Sequence, residues 1–261
     1  MSEMPPISNP VLYGYRVLMK WLSFLIFGLN TLLLVSIFFP VMTLFIHPKE
    51  RFLKQARRFV SFAFRYFVHI MCLMGIVSLD AGDRDAYRRL SSKIVVANHP
   101  SLLDVVMLIS LIPNADCIVR DSLKGNIVAG VIRRLYILNS LDFEKLAAAC
   151  AESLNRGNCV IIFPEGTRTP RSGEMRLKKG AARLSLLSGR DIVPVHIGGT
   201  DKWGLGKNDP WTAFNHQDKY IYRVRIQDHI APETFSRFPF PAAVRRLNQK
   251  IREVLLNPKN R

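Results

Sequence analysis

A chain of 261 residues, 49% hydrophobic, allows one substantial globular domain plus a membrane-associated segment, and its net charge of +17 favours anionic partners. Anionic lipid and other anionic partners fit that charge; nucleic acid is set aside, because there is no nucleic-acid motif or interleaved aromatic stretch. Cys72, Cys117, Cys150 and Cys159 lack C-x-x-C spacing, which argues against metal or disulfide roles and fits a reducing compartment.

In chain order, residues 21–46 carry no charge, about the length needed to cross a hydrocarbon core. The run is too long for the apolar centre of a signal peptide, and no small-residue cleavage pattern follows. It reads as a spanning helix or, because Pro40 permits a kink or an early end, as a helix embedded in one leaflet. Between residues 51 and 76, Arg51, Lys54, Arg58, Arg65 and His69 fall on one narrow helical stripe of a largely apolar segment. Such a helix suits the boundary between acyl chains and headgroups, the alternative being a core helix with snorkelling basic residues. Basic residues after the first helix outweigh Arg16 and Lys20 before it, so the positive-inside rule keeps the remainder on the cytosolic face, at the inner membrane in a bacterium. Residues 1–78 therefore read as a membrane-associated two-helix segment and 79–261 as the domain that carries the chemistry.

That domain alternates. Strands are expected at 93–97, 117–120, 159–163, 192–197 and 220–226, and helices at 102–112, 143–155 and 180–187, with a basic helix at 239–256. Residues 198–217, rich in Gly, Asp, Asn and Trp, read as a loop or lid. The pattern predicts an α/β fold with a largely parallel central sheet flanked by helices.

Two constellations fall at strand ends, where α/β sheets place their chemistry. The first is NHPSLLD at 98–104. Residues five apart on one helix lie roughly 140° around the axis, so His99 and Asp104 meet only if His99 precedes the helix. Pro100 fits that boundary as a first helical residue. A carboxylate on one ring nitrogen fixes the tautomer and leaves the other to accept a proton from a hydroxyl. The plainer alternative is that Asn98 or Ser101 caps the helix and His99 is a turn residue. The second constellation is FPEGTRT at 163–169. Gly166 permits a positive φ, Arg168 offers a planar fork for phosphate or carboxylate, and Glu165 binds a polar substrate group or holds the arginine. Its alternative is a Pro-Gly turn with a surface ion pair.

The two blocks resemble the first and third motifs of the glycerolipid acyltransferase family, N-H-x-x-x-x-D and F-P-E-G-T-R-S, at a similar separation. IVPVHI at 192–197 is similar to the fourth motif, a strand that lines the acyl pocket in the family, and KKGAAR at 178–183 resembles the stretch after the third. The match spans roughly residues 90–200; any one block is weak, and together they are specific. The resemblance implies transfer of a fatty acyl group from a thioester, on coenzyme A or acyl carrier protein, to the free hydroxyl of 1-acyl-glycerol-3-phosphate, giving phosphatidate without metal or cofactor. His99 would be the base and Asp104 its orienter. Glu165, Gly166, Thr167 and Arg168 fall where the family binds the acceptor, with Arg168 on its phosphate. An activated thioester needs no cysteine or serine nucleophile, and backbone N–H groups near Gly166 are candidate oxyanion donors.

One departure matters. The family's second motif, near G-x-x-F-I-x-R, corresponds to RLYILNS at 134–140, with Arg134 in place of glycine and Ser140 in place of arginine. That implies a phosphate held differently, with Arg120, Arg133, Arg134, Arg171 and Arg176 as candidate substitutes, or a different lysolipid or specialised lipid acceptor. A noncatalytic membrane lipid-binding or anchoring protein is the reading from another class, and the intact His99, Asp104 and Glu165 count against it.

Overall fold

A computed structural model describes residues 5–119, 135–138, 142–170 and 175–259. The chain opens with α1 (Pro10–Leu33), started by Pro10 and by the Asn9 side chain, which accepts the Leu12 N–H. A π-helical turn (Leu34–Phe38) leads into α2 (Phe39–Phe45). Pro40, at the start of α2, lacks an N–H and crowds the turn before it, and the wider π turn makes room. Pro10–Phe45 is 36 helical residues, long and apolar enough by length and composition to cross a membrane. Leu18, Leu25, Leu29, Leu32, Leu44 and Phe45 on it are exposed. Its base is tied down: the buried Lys20 Nζ donates to the carbonyls of Trp211, at 2.6 Å, and Ala213.

Helix α3 (Lys49–Leu73) buries Phe52, Ala56, Val60, Phe67, Val68 and Met71, and packs against α5 (Asp104–Leu111). Of its basic stripe, Arg51, Lys54, Arg58 and His69 are exposed and Arg65 is half-buried. One face of α3 is thus packed in the core while most of its basic stripe faces outward. Arg57, off the stripe, adds a buried fork, with Nε and Nη2 donating to the two Asp116 oxygens at 2.5 and 3.0 Å.

The sheet contains β1 (Val77–Asp80), β2 (Ile94–Ala97), β3 (Ala115–Val119), β4 (Ile137–Leu138), β5 (Cys159–Ile162), β6 (Ile192–Gly199) and β7 (Tyr220–Ile226) in the order β1-β7-β6-β2-β5-β3-β4. All pairings are parallel except β6 with β7, so β1 and β7 run against the other five. Every residue of β2 and β5 is buried, because helices cover both faces; hence the unbroken apolar runs. Val95 and Ala97 face the α3 and α5 side, while Ile94 and Val96 pack with Leu247 and Ile251 of α8 (Phe240–Leu256). Completing the layers are α4 (Arg84–Arg88), α6 (Phe143–Asn155), capped by Asp142, and α7 (Gly180–Ser188), ended by Gly189 in the left-handed region.

Three expectations shift. β1 and β4 were not anticipated: four and two residues are too short for alternation to register. The strand at 192 runs two residues beyond 197, so the loop starts after Gly199. The helix expected from 102 begins at Asp104, and Pro100 lies outside it, because the Asp104 carboxylate closes a turn on Ser101 first.

Candidate active site

β2 is central in the sheet, between β6 and β5, and its exit carries the heptad. Asn98 fixes that exit to β6: its Nδ2 donates to Ile197 O at 2.8 Å and its Oδ1 accepts the Ile197 N–H at 2.7 Å. The next residue turns out of the sheet, and the His99 ring stacks on Phe163, centroids 4.2 Å apart.

His99 Nδ1 lies 2.8 Å from Asp104 Oδ2. Asp104 is fully buried and also accepts from the Ser101 N–H at 2.7 Å and Ser101 Oγ at 2.6 Å. An ionised carboxylate can only accept, so Nδ1 carries the proton and Nε2 presents its lone pair.

The strand end at 163–169 closes on the same histidine. Glu165 Oε1 accepts the His99 N–H at 3.2 Å and the Thr169 hydroxyl at 2.7 Å, and the Thr169 N–H donates to His99 O at 2.6 Å. Glu165 Oε2 is buried without a hydrogen-bond partner among the described residues. Burial raises the Glu165 pKa, opposed by the Thr169 and His99 hydrogen bonds. Gly166 takes φ +66°, and an added Cβ would meet the Lys178 side chain at 3.0 Å. Its N–H already donates to Phe163 O, which removes it as an oxyanion donor. Arg168 Nη1 donates to the carbonyls of Leu205 and Gly206 at 2.9 and 2.6 Å, pinning the loop after β6 to the site. Glu165 and Arg168 thus act on different partners and do not form the surface ion pair of the alternative reading.

A cavity of about 510 Å³ opens at His99. Gly166, Thr167 and Arg168 line it; Asp104 and Glu165 sit behind the lining. Its walls are apolar, from Leu102, Val105, Ile118, Leu146, Phe163 and Leu184, and Arg168, Lys178 and Lys207 add positive charge. Burial pushes the Cys117 and Cys150 thiols on its wall up to about 12, so neither supplies a thiolate. The 192–197 stretch does not line this cavity: Val193, Val195 and Ile197 are packed in the sheet core on the α3 side. Of the arginines considered as substitutes, Arg176 is exposed and outside the cavity lining; Arg120, Arg133, Arg134 and Arg171, with Ser140, lie outside the described residues.

Sequence reasoning did not single out Tyr222, Lys202 or Lys207. Tyr222 OH lies 2.7 Å from Ser101 Oγ, and Lys202 Nζ sits 4.6 Å from the Tyr222 ring centroid. No local pattern marks them, because β7 and its preceding loop reach the heptad through tertiary contacts, among them Tyr222 OH on Ser101 Oγ and the Leu102 N–H donating to Leu205 O.

A model of the Acyltransferase family matches residues 78–198. The chain is similar to a chloroplastic 1-acyl-sn-glycerol-3-phosphate acyltransferase of Arabidopsis thaliana, 28% identical over 49% of this chain and 36% of the relative. A 1-acyl-sn-glycerol-3-phosphate acyltransferase of Saccharomyces cerevisiae is 32% identical over 52% of this chain and 48% of the relative. The matched stretch therefore spans between a third and a half of the length of these two relatives. The crystal structure of the 1-acyl-sn-glycerophosphate acyltransferase of Thermotoga maritima superposes with a TM-score of 0.68, at 22% identity, over 95% of this chain and 99% of that one. That likeness carries the fold, and the residues matched by the family model include the strands and turns that hold both motifs. Residues 78–198, which hold both motifs, are thus similar in sequence to the Acyltransferase family.

Proposed function

We propose that this chain is a membrane-associated O-acyltransferase that moves a fatty acyl group from an acyl thioester to the free hydroxyl of 1-acyl-glycerol-3-phosphate, forming phosphatidate. The observation that carries the reading is the 2.8 Å contact between His99 Nδ1 and Asp104 at the mouth of an apolar cavity that also holds three cations. The acceptor hydroxyl gives its proton to His99 Nε2 as its oxygen attacks the thioester carbonyl. The tetrahedral oxyanion collapses, the C–S bond breaks, and the imidazolium returns the proton to the departing thiolate. Asp104 holds the ring and stabilises the imidazolium. Apolar walls suit an acyl chain, and Arg168, Lys178 and Lys207 suit the acceptor phosphate. The donor is acyl-coenzyme A or acyl carrier protein, with no cofactor. Residues 1–78 hold the enzyme on the cytosolic face of the membrane and 79–261 carry the chemistry. The printed names of the relatives support this acceptor. The Ser140 departure favours a second reading, the same transfer to another lysolipid.

The test is a panel of the purified chain with both donors and with lysophosphatidate against lysolipids that lack a phosphate monoester. Selective turnover of lysophosphatidate is expected. Equal turnover of the others moves the acceptor to the second reading, and no turnover of any combination overturns acyl transfer.

A further inference from the structure

Asp104 does not touch the cavity, so whatever sets its charge and angle lies behind it. Ser101 Oγ donates to Asp104 Oδ1 at 2.6 Å, because the carboxylate can only accept. The serine proton is then committed. The 2.7 Å contact between Ser101 Oγ and Tyr222 OH must therefore be filled by the tyrosine proton. Burial and the nearby Asp104 charge raise the Tyr222 phenol well above its ordinary range, so it keeps that proton. Lys202, 5% exposed, places Nζ 4.6 Å from the Tyr222 ring centroid and donates to the carbonyls of Thr200, Ile221 at 2.9 Å and Gly198 at 3.4 Å. An ammonium over a buried aromatic face is attracted by the ring quadrupole. Burial lowers the Lys202 pKa to about 8, opposed by the charges of Asp104 and Asp201.

These groups form one directed series from the loop after β6, through β7, to the heptad. A helix-capping serine needs no tyrosine from a strand 121 residues away. A buried ammonium is costly without a counter-charge, and Asp104 is a fully buried carboxylate that acts on it. Among the described residues, other titratable groups that act on the dyad and its relay include Glu165, on the His99 backbone, Asp201, beside Lys202, and Tyr220, beside Tyr222.

We propose that Ser101, Tyr222 and Lys202 are positioning residues for the His99–Asp104 dyad: the two hydroxyls fix the carboxylate and spread its charge, and the buried ammonium balances it. The proposal rests on the general-base reading of His99. Removing any one of the three leaves more negative charge on the oxygen that His99 shares, so the imidazole holds its proton to higher pH. The acid limb of kcat/KM then moves to higher pH. kcat falls because the carboxylate no longer holds the ring at its productive angle, while KM stays, because none of the three lines the cavity.

The experiment compares Ser101→Ala, Tyr222→Phe and Lys202→Met in the full-length chain by kcat, KM, pH profile and thermal midpoint. A hydrogen bond to a charged group is worth about 1.5–3 kcal/mol, so Ser101→Ala should lose roughly ten- to a hundredfold in kcat. Tyr222→Phe, one bond further out, should lose about tenfold or less, and both should shift the acid limb upward. Tyr222→Phe keeps the ring beneath Lys202 and carries the test if Lys202→Met does not fold. Folded Ser101→Ala and Tyr222→Phe with wild-type kcat and an unmoved acid limb would overturn the proposal. His99→Ala run in parallel separates the two levels: if it is inactive while those variants behave as wild type, only the positioning role falls, whereas wild-type turnover by His99→Ala removes both.

Discussion

Asp104→Asn removes the charge of the dyad and nearly preserves its shape, and the fold decides how the amide sits. The Ser101 N–H, 2.7 Å from Oδ2, can only donate, so the amide oxygen takes that place and keeps the bond from His99 Nδ1. His99 therefore keeps its tautomer, and the lesion is electrostatic. A carboxylate and an imidazolium about 4 Å apart attract by about 4 kcal/mol at an effective dielectric of about 20. Losing that in the transition state lowers kcat by roughly a thousandfold, at about 1.4 kcal/mol per decade. The amide NH2 now faces Ser101 Oγ, which must turn its proton toward Tyr222; the displaced phenol proton costs about 1–3 kcal/mol of stability. Steady-state rates with lysophosphatidate and acyl-coenzyme A across neutral pH, with a urea melt alongside, read both effects. A folded Asp104→Asn enzyme within a few-fold of wild-type kcat would refute the argument, since no cationic imidazole would then need the carboxylate.

Three further outcomes follow from the same geometry. Asn98→Ala leaves the buried Ile197 N–H and C=O without their side-chain partner and should cost about 2–4 kcal/mol in urea denaturation, with β2 and β6 separating at the site edge. Gly166→Ala forces a side chain to φ +66° and displaces Lys178; about 1–2 kcal/mol of lost stability and a raised KM for the acceptor are expected, and an unchanged KM would remove Lys178 from acceptor binding. Glu165 has a raised pKa, so its ionisation destabilises the fold above that pKa and the penalty vanishes below the unfolded carboxylate pKa. Glu165→Gln should therefore melt higher than wild type at neutral pH, with the advantage shrinking as pH falls through the carboxylate range.

The heptad was legible because its geometry is local: five residues cannot share a helical face, so His99 had to leave the helix, and it does. The buried runs of β2 and β5 and the alternation of β7 showed the sheet equally plainly. Partners brought in by tertiary packing were not legible. Periodicity gave α3 an apolar face without saying that α5 covers it, and nothing near Arg57 pointed to Asp116. Arg168 read as a phosphate fork; the structure also commits its Nη1 to two loop carbonyls, a contact that requires the loop after β6 to fold back. Tyr222 and Lys202 have no sequence signature because their meaning depends on the pairing of β7 with β6.

The central claim is that His99 takes the proton of an acceptor hydroxyl. The most direct measurement is phosphatidate formation by purified His99→Ala in liposomes supplied with lysophosphatidate and each thioester donor. The account predicts no detectable product from a variant that melts and binds liposomes as wild type does. Turnover near the wild-type rate would contradict it.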